Sequence, residues 1–370
     1  MAGDGVTKRV FRDDALSYRS TLIVRFVMIA TILVYHAGQY FQFSFPDCGH
    51  LCVAFFFFMS GYGLELSSDT KSGYMRDFLQ RRVLGLMMQY WLILMVIAVV
   101  VMVMQFDWNL LHSNVSNAFL RNPWWYITEL LVLYVIYYIG MMMSTRLRRL
   151  AWVVIADCIM MLMMTEYFGM DVYLKSGLCF IAGMIWYMYR GPLSAGIRRW
   201  YPAVLVVAVV LTIPSVRYQE FDPLDMVLCG ITCLSMVVVY ICLASIDVRR
   251  TFPVHLTVAF LGLFMTWYTM ENGMRSEGSL LLFVMAVSSV LVQCGRVVEP
   301  LVFLGAASLE MYLMQFMFFQ VPDLDAALPD WQATLLAFCL MLAVSLPTHQ
   351  LVKRVMARYQ QGVARLESLS

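Results

Sequence analysis

The sequence has few charged residues and few histidines. Asp, Glu, Lys and Arg together make up 14% of its 370 residues, and histidine occurs five times. Hydrophobic residues make up 61%, and the mean hydropathy is +0.74. So much apolar side-chain surface excludes a soluble globular domain and predicts a polytopic membrane protein. The net charge is only +2, and its basic residues are scattered over short loops, so we expect no nucleic-acid partner.

Apolar stretches of membrane-spanning length recur along the chain. We place them at 20–41, 50–66, 84–104, 123–143, 150–166, 172–189, 201–216, 224–245, 254–270, 279–294, 300–319 and 332–352. The stretch at 201–216 is the weakest, because it is short and contains Pro214. The pattern predicts an all-α, polytopic transmembrane helical bundle of about 10–12 spanning helices. We expect a single membrane-embedded domain over 1–370, with cytosolic segments at 1–19 and 353–370.

The basic residues are distributed unevenly between the predicted loops. If the N-terminus is cytosolic, 21 of the 26 basic residues fall in cytosolic segments and one, Arg25, lies within the first span. The four that fall outside are Arg121, Lys175, Arg217 and Arg275. Because cytosolic loops of membrane proteins carry an excess of Lys and Arg, this bias predicts that both termini are cytosolic.

Several signals of other protein classes are lacking. We find no internal repeat of the kind that marks many transporters. The first apolar segment has no small-residue cleavage site, so we expect an uncleaved anchor. The nine cysteines lie mostly within predicted spans and require no disulfide. Cys48, His50 and Cys52 resemble a metal-binding spacing only loosely, and we predict no metal site.

The first span contains an arginine and a histidine within an otherwise apolar helix. Arg25 and His36 are eleven residues apart, which places them on one helix face and about 16 Å apart along its axis. A charged group at such a depth is costly unless it meets water, a partner or a ligand. The alternatives are that Arg25 snorkels to the interface and that His36 is a hydrogen-bonded structural residue.

Two further patterns are candidates for binding a ligand. Ser60 and Gly61 follow a run of four phenylalanines, where small residues allow either close helix packing or the approach of a ligand to the backbone. Arg76, Arg81 and Arg82 precede the third span, where they suit anionic lipid headgroups or the phosphates of a nucleotide. The apolar residues at 74, 75, 78 and 79 predict a short helix on the membrane surface beside these arginines.

Three acidic residues lie within predicted spans. Glu129 is about 9 Å from the external boundary, a depth similar to that of His36, and the two could form an acid/base pair. Asp157 is near the level of Arg25, where a charge pair is plausible. Glu310 lies near the middle of the eleventh span.

Taken together, these segments resemble the integral-membrane acyltransferase 3 family. The resemblance rests on five elements in order: the Arg25–ten residues–His36 motif, the aromatic run ending in Ser60-Gly61, Phe78-x-x-Arg81-Arg82, the start of a helix at Trp124-Trp125-Tyr126, and Leu304-Gly-x-x-Ser308-x-x-x-Tyr312-Leu. The sequence departs from the family pattern at Gly85 and Met88, where arginine and proline are common, and at Gln315, where histidine is common. These departures weaken a donor site built on that loop and remove Gln315 as an acid/base candidate.

The resemblance implies transfer of an acyl group, expected to be acetyl, from cytosolic acyl-CoA to a hydroxyl of a glycan or lipid-linked envelope molecule at the outer face. His36 would act as general base or transient acyl carrier, Arg25 would orient the donor, and Glu129 would polarise His36 or the acceptor hydroxyl. The residues expected to bind the donor are Arg76, Arg81, Arg82, Ser60 and Gly61. Acyl-CoA is expected as a substrate, with no permanently bound cofactor.

The implied location is the cytoplasmic (inner) membrane of a bacterial cell, among membrane lipids. A multi-helix transporter or flippase of lipids or glycans is the main alternative, because intramembrane charges and aromatic-lined cavities serve transport equally well. A non-catalytic partner of a glycan export system is the third.

Overall fold

The computed structural model describes residues 15–105, 125–168, 178–213, 223–272, 277–319 and 329–367. These residues form thirteen α-helices and no β-strand. The α-helices are α1 (Tyr18–Tyr40), α2 (Gly49–Thr70), α3 (Gly85–Gln105), α4 (Trp125–Gly140), α5 (Arg146–Phe168), α6 (Leu178–Met188), α7 (Arg190–Thr212), α8 (Pro223–Ala244), α9 (Val248–Glu271), α10 (Glu277–Gln293), α11 (Glu299–Ala306), α12 (Ser308–Phe319) and α13 (Asp330–Glu367). A π-helical turn spans Leu79–Leu84, and a 3₁₀ turn spans Gly295–Val298.

The all-α class predicted from the sequence is confirmed, and the described part of each of the twelve apolar stretches is largely helical, with the stretch at 300–319 divided into two helices. Within the described ranges, six helices are long and apolar enough to cross a membrane. They lie at Tyr18–Tyr40, Gly49–Thr70, Leu79–Val100, Arg190–Thr212, Val248–Glu271 and Asp330–Gly362. The number rises to seven if the pair broken at Ala307 is one span, and four shorter apolar helices have 10–17 residues. The sequence count of about 10–12 spans includes these shorter and broken helices.

Two predicted segments differ from the structure. Residues 201–212 of the stretch at 201–216 belong to the longer helix α7, which begins at Arg190, ends at Thr212 and has a kink at Trp200, beside Pro202, while 214–216 lie outside the described residues. The kink follows from the ring of Pro202, which removes a backbone donor inside the helix. The short surface helix predicted from the apolar residues at 74, 75, 78 and 79 is absent at 72–77, which form turns that start near Gly73, whose φ is +69°, and the chain is helical only from Phe78 through the π-helical turn. A residue in the left-handed region interrupts a helix, and only after these turns does the chain enter the π-helical turn.

The described chain divides into two compact units. Unit 1 comprises Met1–Gln39, Ser44–Thr70 and Asp157–Ala306, and unit 2 comprises Tyr40–Phe43, Lys71–Ala156 and Ala307–Ser370. In unit 1, α2 packs on α6, α9 packs on α10, and α8 contacts α7 and α10. In unit 2, α12 packs on α13, α3 contacts both of them, and α4 contacts the π-helical turn.

The contact between α2 and α6 depends on two glycines that face each other's backbone. A Cβ atom on Gly61 would overlap the carbonyl oxygen of Phe180, and one on Gly183 would overlap the carbonyl oxygen of Phe58. Because only hydrogen fits between the two backbones, the helices approach as closely as small-residue motifs allow in membranes. This contact fixes the position of the aromatic run of α2, in which Phe57 is fully buried.

We predict that Gly183→Ala destabilises the protein, because the added methyl group forces the backbones of α2 and α6 apart. Overpacking of this kind costs about 1–3 kcal/mol. The measurement is the thermal unfolding midpoint of the detergent-solubilised protein. Gly196→Ala is the matched control: Gly196 is exposed on α7 and has no neighbour within 4 Å, so alanine there should be neutral or slightly stabilising. Equal midpoints for the two variants would contradict the proposed packing.

Candidate functional site

Helix α1 carries Arg25 and His36 without interruption. Its 23 residues give a length of about 35 Å, enough to cross the hydrocarbon core of a bilayer. Since both residues lie on one continuous α-helix, the eleven-residue spacing gives them a common face and a separation of about 16 Å along the axis. Both side chains are only partly buried, whereas twelve of the 23 residues of α1 are buried.

A short hydrogen-bond network surrounds the imidazole of His36. Its Nδ1 atom lies 3.2 Å from Oε1 of Gln39, and Nε2 of Gln39 donates to the hydroxyl of Tyr35 at 2.6 Å. The rings of Tyr35 and His36 are 4.8 Å apart between centroids. In the neutral imidazole, a hydrogen on Nδ1 bonded to Gln39 leaves the lone pair on Nε2. That nitrogen is the one suited to accept a proton or to attack an acyl group.

The ends of α1 are fixed by contacts within unit 1. At the His36 end, the ring of Tyr35 lies against Gly49, where a Cβ would approach ring carbons to 2.9 Å. At the other end, Nε of Arg19 donates to Oε1 of Glu299 at 2.9 Å. Near Arg25, the backbone of Leu22 contacts Gly305, which has no side chain to separate the two helices. These contacts hold the arginine and the histidine on a rigid element.

The charge pair expected between Arg25 and Asp157 is not formed. Asp157 is fully buried, and neither of its carboxylate oxygens has a hydrogen-bond partner among the described residues. Nε of Arg25 also lacks one within the same part of the chain. A depth estimated from sequence places two groups at one level but does not give the helix rotations that would bring them together. A buried donor without a partner is costly, so the guanidinium of Arg25 has capacity for a ligand.

Ser60 and Gly61 lie on α2, and the structure gives Gly61 a packing role against α6. Ser60 is partly buried, and Gly63 has no atom within 4 Å of the Cβ it could carry. The close-packing interpretation therefore accounts for Gly61 without a ligand. The assignment of Ser60 and Gly61 to donor binding stays a prediction.

The three candidate arginines of unit 2 lie on the turns before α3. Arg76 is exposed on these turns, and Arg81 and Arg82 belong to the π-helical turn. Nη2 of Arg81 lies 3.0 Å from Oδ2 of Asp77. Nε of Arg82 donates to the hydroxyl of Tyr74 at 2.7 Å. π-Helical turns often occur at functional sites, because they alter the direction of side chains relative to a regular helix.

An aromatic cluster supports the π-helical turn. Phe78, which is fully buried, stacks on Tyr138 with a centroid distance of 5.7 Å. The rings of Tyr74, Tyr134 and Tyr137 lie 5.7, 6.2 and 5.8 Å from it. Phe78 directly precedes the π-helical turn, so the aromatic cluster fixes the start of that turn. Arg81, within the turn, remains exposed. The sequence motif Phe78-x-x-Arg81-Arg82 thus joins an apolar anchor to two cations.

Glu129 is fully buried on α4, in unit 2. Its neighbours in sequence, Ile127, Leu130 and Leu133, are also buried. Tyr126, one turn earlier, packs its ring edge-on against Tyr312 at 5.7 Å. A carboxyl group within an apolar helix is expensive and usually has a functional reason. Trp124, the first residue of the aromatic motif, lies outside the described residues.

Sequence reasoning did not find the immediate partners of these side chains. Gln39 is three residues from His36, and Asp77 is four residues before Arg81, so helical spacing alone would have suggested both. Tyr74 is eight residues from Arg82, and nothing in the sequence signals that contact. His50, from the loose metal-like spacing, has Nε2 at 3.0 Å from Sγ of Cys229. The described residues include no group of three or more His, Cys, Asp or Glu side chains that could hold a metal ion.

Comparison with known proteins agrees with these motifs. The family model of the acyltransferase 3 family, described as an acyltransferase domain, matches residues 23–349. No curated protein and no solved structure gives a significant match. The matched region begins two residues before Arg25, ends at His349 and contains every candidate residue described above. The chain therefore belongs to the acyltransferase 3 family and is an acyltransferase with several membrane-spanning helices.

Proposed function

We propose that this acyltransferase moves an acyl group, acetyl in the first instance, from cytosolic acyl-CoA to a hydroxyl of a glycan or lipid-linked envelope molecule at the outer face of a bacterial inner membrane. The observation that carries the proposal is the pairing of a guanidinium and an imidazole on the continuous helix α1. One group suits an anionic donor and the other suits proton transfer or acyl transfer. The match to an acyltransferase family favours this function over the transporter alternative.

The proposed reaction replaces a thioester by an oxygen ester. The acceptor hydroxyl oxygen attacks the acyl carbonyl carbon, a C–O bond forms, the C–S bond breaks, and the hydroxyl proton passes to the thiolate of CoA. His36 serves this reaction either as the base that takes the proton or as a nucleophile that carries the acyl group between the two substrates. Its Nε2 atom is suited to both roles, because Nδ1 is bonded to Gln39.

Each of the two units carries arginines that are proposed to contact the donor. Arg25 has an unsatisfied Nε donor within the described part of the chain, and a thioester carbonyl or a phosphate would satisfy it. Arg76, Arg81 and Arg82 are proposed to bind the phosphates of CoA, since guanidinium groups match phosphate geometry. Ser60 and Gly61 are also proposed to bind the donor, and the family motif is the only support for this role. Glu129 is proposed as a third catalytic group, a carboxylate that polarises the acceptor hydroxyl.

We predict that His36→Gln lowers acyl transfer by about 10²–10⁴-fold, because glutamine keeps a hydrogen-bonding group but cannot act as a base. The measurement is transfer of radiolabel from acetyl-CoA to envelope glycans, per amount of monodisperse protein. His255→Gln is the control. Both ring nitrogens of His255 contact backbone carbonyls, Nδ1 that of Thr251 at 3.0 Å and Nε2 that of Leu243 at 3.1 Å, so its role is structural. Normal transfer by a well-folded His36→Gln protein would exclude a catalytic role.

For Arg25→Lys we expect weaker donor binding, by about 10-fold, because lysine loses the planar fork of donors and about 1.5 kcal/mol of charge-assisted hydrogen bonding. The dissociation constant of acetyl-CoA, measured on the purified protein, tests this. Arg250→Lys is the control, since Arg250 is exposed and lies 4.0 Å from Asp247 in a surface pair. If Arg25 only snorkels to the interface, lysine will bind the donor as well as arginine does.

Glu129→Gln should reduce turnover by about 10-fold or more and leave the dissociation constant of acetyl-CoA unchanged, because the lost interaction belongs to the transition state. Turnover and catalytic efficiency should then fall together. Glu271→Gln, at an exposed position at the end of α9, is the control. An unaltered turnover in Glu129→Gln would limit the catalytic set to α1.

A further inference from the structure

Helix α12 contains a buried glutamine that forms no hydrogen bond with any described residue. Gln315 is 1% exposed, and both Nε2 and Oε1 of its amide are buried. Neither atom has a hydrogen-bond partner in the described part of the chain. An amide offers two donor hydrogens and an acceptor oxygen, and leaving them unpaired away from water is costly. An apolar side chain of similar size would avoid that cost, so stability does not explain the glutamine.

Another glutamine shows how a structural amide is bonded in this protein. Nε2 of Gln293 donates to the backbone carbonyls of Ile246 at 3.0 Å and Ser289 at 3.2 Å. Its Oε1 accepts from the backbone N–H of Val248 at 2.9 Å. These bonds satisfy both ends of the amide and join the end of α10 to the start of α9. Gln315 makes no such bond within the described ranges, so its amide has capacity for a ligand.

Gln315 lies near the end of α12 that the predicted topology places towards the outer face. The helix ends at Phe319, four residues or about 6 Å further along its axis. The preceding residues Met311, Leu313 and Met314 are buried and apolar. Binding sites for small molecules commonly combine apolar surroundings with a few polar groups that fix the orientation of the ligand.

A contact between two tyrosines relates Gln315 to Glu129 within unit 2. The ring of Tyr312, three residues before Gln315, packs edge-on against that of Tyr126 at 5.7 Å. Glu129 is three residues after Tyr126 on α4. By the predicted topology, α4 enters the membrane from the outer face and α12 runs towards that face. Since three residues correspond to about 4.5 Å of helix, Gln315 is about 9 Å nearer the outer face than Glu129.

The two side chains suit different parts of one acceptor. Glu129 is the group proposed to polarise the hydroxyl that receives the acyl group. The amide of Gln315 has no acid/base function, but it can donate to one hydroxyl and accept from another. A sugar has neighbouring hydroxyls, each of which is both a donor and an acceptor, whereas a lipid chain has none. A buried, neutral amide therefore matches a neutral polyhydroxyl compound.

We propose that Gln315 binds the acyl acceptor and selects a neutral polyhydroxyl compound, the sugar unit of a glycan. The inference rests on the proposed acyl-transfer function and names the acceptor class of that reaction. The amide N–H donates to one hydroxyl of the sugar, and the amide oxygen accepts from the next. A further hydroxyl of the same acceptor then lies near Glu129. Gln315 gains and loses no proton, so it is a binding residue.

The test uses the full chain, purified in detergent, with acetyl-CoA as donor and methyl glucoside as acceptor. Gln315→Leu should raise the KM for methyl glucoside by about 10-fold, the effect of losing two hydrogen bonds to a neutral ligand. The turnover number at saturating acceptor and the Kd of acetyl-CoA should stay within about twofold of the unmodified protein. Gln315→Asn, which keeps an amide on a shorter side chain, should be intermediate. Gln293→Leu is the matched control and should keep its KM.

Thermal unfolding separates a binding role from a structural one. Gln315→Leu should unfold at the same or a higher temperature than the unmodified protein, because leucine removes unpaired polar atoms from the interior. Gln293→Leu should unfold at a lower temperature, since its backbone partners lose their bonds. Methyl glucoside should raise the unfolding midpoint of the unmodified protein and of Gln293→Leu in a concentration-dependent way. That rise should be lost in Gln315→Leu.

The possible outcomes distinguish this inference from the proposed function. An unchanged KM for methyl glucoside in Gln315→Leu would overturn the inference and leave the acyl-transfer function intact. A lowered unfolding midpoint in Gln315→Leu would make the amide structural. If the unmodified protein shows the thermal rise, Gln315→Leu loses it and no acetyl group is transferred, the acceptor site stands and the proposed donor is wrong. Absence of both the rise and transfer in the unmodified protein would remove the acceptor site together with the proposed reaction.

Discussion

The absence of water from the bilayer core is the constraint on which the rest of this structure depends. Each backbone N–H and C=O group must be bonded within its own segment, and an α-helix meets that condition. The described chain is accordingly helical, with kinks and π or 3₁₀ turns at Trp200, at Leu79–Leu84 and at Gly295–Val298. Variation in hydrogen bonding then falls to the polar side chains, and an ionisable side chain within a span is a candidate for a functional role.

The described histidines differ in the hydrogen-bond partners of their ring nitrogens. Both ring nitrogens of His255 contact backbone carbonyls, so neither nitrogen is available to bind a substrate. His36 and His349 each have Nδ1 on a side-chain oxygen, that of Gln39 and that of Glu310. The partner of His36 is an amide oxygen and that of His349 is a carboxyl oxygen, so the two rings are oriented by different kinds of group. Residue type alone would have treated all three alike.

Features that depend only on position along one helix could be predicted from the sequence. Hydrophobic stretches predicted where the helices lie, and the eleven-residue spacing of Arg25 and His36 gave their common face on α1. The sequence was insufficient wherever two helices must be rotated against each other. Asp157 and Arg25 were expected to pair from their similar depths, yet neither is paired with the other. His349 carried the same signal as His36, a histidine in an apolar span, and was missed because its partner is 39 residues away.

Short motifs were informative about family and less so about role. Ser60-Gly61 and Phe78-x-x-Arg81-Arg82 both belong to the motifs of the family, but the structure explains the first by helix packing and not the second. Gly61 is explained by its contact with the backbone at Phe180, a contact that any close helix pair needs. The arginines have no such packing explanation. Their turn departs from regular helix geometry, it follows a fully buried aromatic anchor at Phe78, and it keeps the cation of Arg81 exposed. A turn that combines an irregular backbone with accessible cations is better suited to an anionic ligand than a glycine whose face is already filled.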